Sequence, residues 1–265
     1  MTSIAAAARE VLLTSDANAK IFAVRAAARD WLQGKLDWAF DTSMPDQPAR
    51  PERPERMPAS RMPKRGRAGS PRARIAMLHA LAHIEYGAID LAFDLIGRFG
   101  DGAPRAFVDD WIRVGAEEAL HFALLKRRLR TLGSGYGALP AHDGLWEAAE
   151  ATAGDRLARL AVVPMILEAR GLDVTPATVA RFEASGDVTS ARILDRIYCD
   201  EIRHVAIGVR WFRYFCDEQR FECFGQWQKL VRRHFKGSLK PPFNDSARNA
   251  AGLTMDFYYP LAASE

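Results

Sequence analysis

The chain has 265 residues, 48 % of them hydrophobic and 26 % charged, enough to bury a full core and unlike a disordered or fibrous chain. No uncharged run approaches the roughly 18–20 apolar residues of a membrane span, and Arg9 and Glu10 interrupt the Ala-rich start, which argues against a secretory signal. The three cysteines follow no C-x-x-C spacing, so a reducing, cytoplasmic location is expected.

The net charge of +4 is unevenly spread. Residues 45–74 hold eight arginines and one lysine against three acids, a net +6, which leaves −2 for everything else. Basicity therefore belongs to one segment and not to the fold.

In chain order, residues 3–13 and about 17–40 read as two helices, the second capped by Ser15 or Asp16, with Gly34 near its middle or end. Residues 45–74 carry seven of the fourteen prolines, a density no helix survives, so an extended strap or linker is expected. Arginines there are expected to pair with carboxylates and to hold the strap against the fold. Four long stretches at helical spacing follow. They run about 72–98, ending at Gly100; 105–132, ending at Gly133; 146–170, containing Pro164 and ending at Gly171; and 188–220. Thr175 and Pro176 read as the start of a further short helix ending near Gly186. The remainder contains a basic amphipathic piece (KLVRRHFK) and a KPPFN segment. The expected division is residues 1–74 as N-terminal helices and strap, 75–224 as a four-helix bundle, and 225–265 as an extension packed on it.

Each long stretch has an apolar stripe with polar intrusions. Glu85 interrupts Leu78, Ala82, Ile89 and Ile96; Glu118 and His121 interrupt Trp111, Val114, Phe122 and Leu125. Glu168 follows Leu157, Leu160 and Met165; Glu201 and His204 interrupt Leu194, Ile197 and Val205. A lone buried carboxylate costs several kcal/mol or stays protonated, so four such intrusions need a common cause. Two divalent ions supply one, since four carboxylates neutralise them and two imidazoles add nitrogen ligands. The Glu-x-x-His spacing places both side chains on one helix face. From Glu85 to Glu118 is 33 residues, and from Glu168 to Glu201 is again 33. Two single-Glu helices and two Glu-x-x-His helices are the ligand set of ferritin-like di-metal bundles, and the longer step from Glu118 to Glu168 suits the one long crossover of that topology. The expected fold is all-α, a ferritin-like antiparallel four-helix bundle with Glu85, Glu118, His121, Glu168, Glu201 and His204 as metal ligands. His79 and His83 read as packing or surface residues, His142 and Asp143 as the start of the third helix, and His234 as solvated.

The strings AHIEYGAIDLAFD, PAHDGLWEAAE, ILEARGLDVTP and DEIRHVAIGVRWF resemble a bacterial family known only as a ferritin-like domain of unknown function, over nearly the whole chain. DEIRH is also similar to the D-E-x-R-H signature of bacterial di-iron monooxygenases. That resemblance implies Glu201 and His204 as ligands and Asp200 as the residue that orients His121. Glu117 of EEALH stands where the class more often has Asp, and would reach His204. The implied cofactor is a pair of iron ions, with manganese or a mixed pair as alternatives. An O2-dependent oxidoreductase acting on a small molecule is the first expectation, and a ferroxidase or metal-handling protein the alternative. A tRNA hydroxylase belongs to the same broad class, but the basic segment lacks interleaved aromatics for base stacking.

Overall fold

A computed structural model describes residues 2–62 and 70–262. The described residues are almost wholly helical, with one pair of two-residue parallel strands, β1 (Thr2–Ser3) and β2 (Leu36–Asp37). None of their helices is long and apolar enough to cross a membrane. They fall into two compact units, one ending at Trp146 and the other starting at Glu147.

The first unit contains α1 (Ile4–Leu13), α2 (Ala17–Leu32), α3 (Pro71–Phe99) and α4 (Arg105–Thr131). Ser3 and Asp16 cap the first two helices, accepting from Ala6 and from Asn18 and Ala19. Ser70 caps α3, with Pro71 at a first-turn position where its missing N–H is harmless. The expected second helix is shorter than 17–40. Gly34, at φ 65°, turns the chain so that the Lys35 N–H reaches the Asp30 carbonyl at 2.8 Å and closes the helix. α3 and α4, joined by a short loop, form a helical hairpin, and α1 packs on α3 from another side. That double cover explains why every residue from 85 to 96 is buried.

Two consequences of that cover were not legible as an apolar stripe. Asp90 is fully buried, and Lys20 from α2 and Arg50 from the strap both hydrogen-bond to it. Asp94 is also buried and receives Arg98 Nε at 3.0 Å. The signal was present as two aspartates four apart in the apolar run AIDLAFDLI.

The strap expected over 45–74 is ordered over 45–62, and residues 63–69 lie outside the described residues. Its last residues belong instead to α3, because Ser70 and Pro71 start that helix. Backbone bonds fasten it: Ala49 N–H to the Leu12 carbonyl at 2.9 Å and Met57 N–H to the Ala141 carbonyl at 2.8 Å. Arg50 also lies 3.4 Å, and Arg56 3.8 Å, from Asp143. Arg50 and Arg56 are thus engaged with this unit's own acids. Asp143 also stands at the helix start expected for it, directly before the helix that begins at Gly144, whose N–H His142 Nδ1 accepts at 3.2 Å.

The second unit contains α6 (Arg156–Val162), a π-helical segment (Val163–Glu168), α7 (Ala169–Ala184) and α8 (Val188–Glu218), after α5 (Gly144–Glu150), which crosses the division. The third expected stretch is therefore not one helix. It breaks after α5, and Asp155 caps α6 by accepting from Ala158. It also does not stop at Gly171, and no new helix begins at Pro176. α7 runs through both. Pro176 has no N–H for the Leu172 carbonyl four residues earlier, and the Asn244 side chain donates to that carbonyl at 3.1 Å instead. α7 and α8 form the second hairpin. The C-terminal helices α9 (Cys223–His234), α10 (Asp245–Ala250) and α11 (Met255–Tyr258) complete the unit. Trp227 meets Phe257 edge-on at 5.7 Å, and buried Arg248 grips Asp173 with bonds of 2.8 and 2.7 Å. His234, expected to be solvated, is half-buried with Nδ1 at 3.2 Å from the Ala151 carbonyl.

The buried Lys20–Asp90–Arg50 set makes an asymmetric prediction. Asp90→Ala strands Lys20 in a dry interior and is expected to cost about 3–5 kcal/mol. Lys20→Met leaves Asp90 with Arg50 and is expected to cost less. Urea unfolding of both variants checks the order, and equal costs would contradict it.

Candidate metal centre

In the first unit, Glu85 projects from α3, and Glu118 and His121 project from one face of α4. Glu85 is 5 % exposed, Glu118 1 % and His121 0 %. His121 Nδ1 lies 3.3 Å from Glu85 Oε2 and 3.5 Å from Glu118 Oε2. One ligand atom from each of the three falls within 4.8 Å of the others, a spacing that can hold a metal ion. The sequence-predicted residues of the first hairpin are therefore brought together.

The electrostatics of this cluster match a cation site. Burial alone would lower the His121 pKa, but hydrogen bonds to Glu118 and Glu85, with their charges, override it and raise it to about 11. The His121 ring thus sits against two buried carboxylates. The donor set, two carboxylates and one imidazole, suits iron, manganese or zinc.

The second unit carries the matching residues on its own hairpin. Glu168 is the last residue of the π-helical segment, and Glu201 and His204 share one face of α8. His204 is fully buried, with Nδ1 3.5 Å from Glu201 Oε1. The Glu201 side chain is 12 % exposed, and Glu168 is half-buried. The expected disturbance at Pro164 takes the form of a π segment, in which the wider turn accommodates a residue without an N–H.

Both hairpins use a glycine to bring the ligand-bearing helix close. A Cβ on Gly115, three residues before Glu118, would lie 2.6 Å from the Phe93 ring. A Cβ on Gly208, one turn beyond His204, would lie 2.4 Å from Pro164 Cβ. The contacts set how near each Glu-x-x-His pair sits to the other arm of its hairpin.

Asp200 is buried, and its carboxylate accepts from Arg196 Nε at 2.7 Å and Arg203 at 2.9 Å. Glu117 is half-buried on α4.

Sequence reasoning missed a second polar cluster in the first unit. His79 and His83 are buried, and Tyr136 from the 133–140 loop stacks on His79 with ring centroids 5.6 Å apart. His79 Nε2 accepts from the Gly137 N–H at 2.9 Å, and burial lowers its pKa to about 4, so it is neutral. His83 joins Tyr136 Oη at 2.9 Å to Asp143 at 3.4 Å. The adjoining cavity, lined by Arg50, His83, Asp143 and Trp146, measures about 40 Å³, room for a few waters. The visible signal was the pair of histidines one turn apart on α3, with tyrosine between glycines in GSGYG.

The profile of a family described as "Protein of unknown function (DUF455)" matches residues 13–259. The chain belongs to this family. It is 42 % identical over 195 residues to an "Uncharacterized protein" of Haemophilus influenzae (strain ATCC 51907 / DSM 11121 / KW20 / Rd), covering 70 % of this chain and 68 % of the relative. No solved structure matches it.

The raised His121 pKa has a defined sign. It contributes stability in full below the ordinary imidazole value of about 6.5 and loses it as pH rises through about 11. In metal-free protein the His121 ring is therefore expected to remain protonated at about pH 8, and Glu118→Gln is expected to lower its midpoint, as read from imidazole NMR shifts. A neutral His121 at that pH would contradict the reading. Gly208→Ala is expected to cost about 1–3 kcal/mol through the Pro164 contact, measured by denaturant unfolding.

Proposed function

We propose that the chain is a ferritin-like four-helix bundle and that Glu85, Glu118, His121, Glu168, Glu201 and His204 together hold two metal ions. Iron is the first candidate, with manganese or a mixed pair as alternatives. The observation that carries the reading is the buried Glu85–Glu118–His121 cluster, in which His121 Nδ1 lies 3.3 and 3.5 Å from the two carboxylates. Support comes from the second hairpin, which repeats the order Glu, then Glu-x-x-His, at the same 33-residue interval. The long connection between the hairpins suits the single crossover of such bundles.

The activity we propose is that of an O2-dependent oxidoreductase acting on a small molecule. When bound, a redox-active ion pair supplies the electrons for reaction with O2. The protein's own residues supply the rest. Glu85 and Glu118 provide negative charge that offsets the ions. His121 gives up its proton on loading, because a ligating imidazole nitrogen must be free. The aromatic and aliphatic side chains around α3 and α4 keep water away from the cluster. Pro164 and the π segment set the backbone from which Glu168 projects.

Asp200 is proposed to orient His121 by accepting its second ring N–H, and Glu117 to do the same for His204. Both roles extend the D-E-x-R-H resemblance and agree with the burial of Asp200.

The reading is tested on anaerobically purified protein. About two metal ions per chain are expected, and Glu118→Ala and Glu201→Ala are each expected to lose at least one. Full metal content in both variants would end the proposal. Asp200→Asn is expected to keep the fold and to lower metal affinity or the rate with O2 by about 10–100-fold. Addition of O2 to the reduced, iron-loaded protein separates the two activities. Cycling of the protein's own ions fits an oxidoreductase, whereas oxidation of many Fe(II) per chain would make it a ferroxidase.

A further inference from the structure

The three cysteines, which follow no recognisable spacing in sequence, are not equivalent in the fold. Cys199 is exposed on α8, Cys216 is buried near the end of the same helix, and Cys223 is half-buried as the first residue of α9. The Cys216 and Cys223 side chains hydrogen-bond to one another. All the surrounding elements belong to the second unit.

The turn between them is built to hold that contact. α8 ends at Glu218, and Arg220 takes the left-handed conformation, φ 57°, a rare choice for a residue with a Cβ. The Phe221 N–H reaches back to the Cys216 carbonyl at 2.9 Å, and the Arg220 N–H to the Asp217 carbonyl at 3.1 Å. This paired bond pattern caps a helix and reverses the chain sharply. Elsewhere the same kind of turn uses glycine, as at Gly34 and Gly186. Glu222 then caps α9 by accepting from Phe224 and Gly225 at 2.8 and 2.6 Å, which sets Cys223 at the first helical position. The backbone that carries both cysteines is thus held by caps on each side of the turn.

We propose that Cys216 and Cys223 are a reversible dithiol–disulfide pair that exchanges with small-molecule disulfides. Cys223 is the attacking residue. It is the more exposed of the two, and it lies at a helix N-terminus, where partial positive charge favours a thiolate. The Cys216 hydrogen bond and the Arg213 guanidinium pull its thiol below the ordinary cysteine range, against burial, Glu222 and Asp217. Cys216 is pushed the other way, by its bond to Cys223 and by burial, and so stays a thiol until it is needed.

The exchange balances with the small disulfide itself as the two-electron acceptor. The Cys223 thiolate attacks one sulfur of a small disulfide such as oxidised glutathione, and a glutathione thiolate leaves. The Cys216 sulfur then attacks Cys223 in the mixed disulfide and expels the second glutathione thiolate, which takes the Cys216 proton. Two protein thiols become one disulfide, and one disulfide becomes two thiols. Closing the bond requires the sulfurs to reach a bonding distance of about 2.05 Å. The bond would staple the end of α8, the helix that carries Glu201 and His204, to α9.

The test uses the full chain, reduced, desalted and incubated with oxidised glutathione without O2. Remaining thiols are alkylated after denaturation and mapped by peptide mass spectrometry. The expected result is a fall from three free thiols to one, a 216–223 cross-linked peptide, and full reversal by dithiothreitol. Cys199→Ser should form the same link, and Cys223→Ser should form none and leave Cys216 unmodified. In Cys216→Ala the reaction should stop as a glutathione adduct on Cys223. Three persisting thiols, oxidation confined to Cys199, or a stable glutathione adduct on Cys223 of the unsubstituted chain would each overturn the proposal. Should Cys216→Ala lose its helical circular dichroism, the peptide maps of the unsubstituted chain and of Cys223→Ser still decide it.

Discussion

A carboxylate in a dry helix interface has to be met by positive charge, because desolvating it alone costs several kcal/mol, and much of this structure is arranged around that requirement. Asp90 has Lys20 and Arg50. Asp173 has Arg248, and Asp200 has Arg196 and Arg203. Glu85 and Glu118 meet an imidazole instead, which carries its charge only as a bound proton. A guanidinium is a permanent partner, since it does not lose its charge in proteins. An imidazolium is exchangeable, and that separates a structural ion pair from a site that a metal ion can occupy. The strap follows the same rule. Among its described arginines, Arg50 meets Asp90 and Asp143, and Arg56 lies near Asp143.

Burial of these groups depends in turn on close helix packing. In each hairpin one glycine on the Glu-x-x-His helix removes the Cβ that would hold the arms apart, Gly115 beneath Phe93 and Gly208 against Pro164. The close approach brings the polar face of one arm to the other without room for solvent. In the second hairpin Pro164 does two things, filling the space above Gly208 and forcing the π turn that leads into Glu168. Irregular backbone beside a ligand residue is tolerated here because the surrounding helices over-determine it. A similar logic applies at Pro176, where an ordinary helix continues because Asn244 satisfies the carbonyl that proline leaves open.

Helix positions, the all-α class and the candidate ligands were legible in the chain because each rests on local chemistry. Period, capping residues and the polarity of a stripe act over a few residues, so the cap at Asp16 and the Glu-x-x-His pairs could be recognised where they stand. The same locality explains the errors. Gly171 and Pro176 look like a helix end and a helix start, and nothing within ten residues reveals that Asn244 will support the continuation. The Ala-rich start of the third stretch looks continuous, yet Asp155 draws a cap from it.

What remained hidden depends on residues far apart in sequence. Lys20 and Asp90 are 70 positions apart and His83 and Tyr136 are 53, so their pairing exists only once α2, the strap and the 133–140 loop are packed on α3. The protonation of His121 is of the same kind, since it needs Glu85 from another helix at 3.3 Å. Cys216 and Cys223 are near in sequence, but their contact depends on a left-handed Arg220 that no propensity favours. Composition and periodicity thus carry which groups are present and which face they take. Desolvation, charge pairing and thiol contact arise from distances between faces, and those come into being only when the helices close.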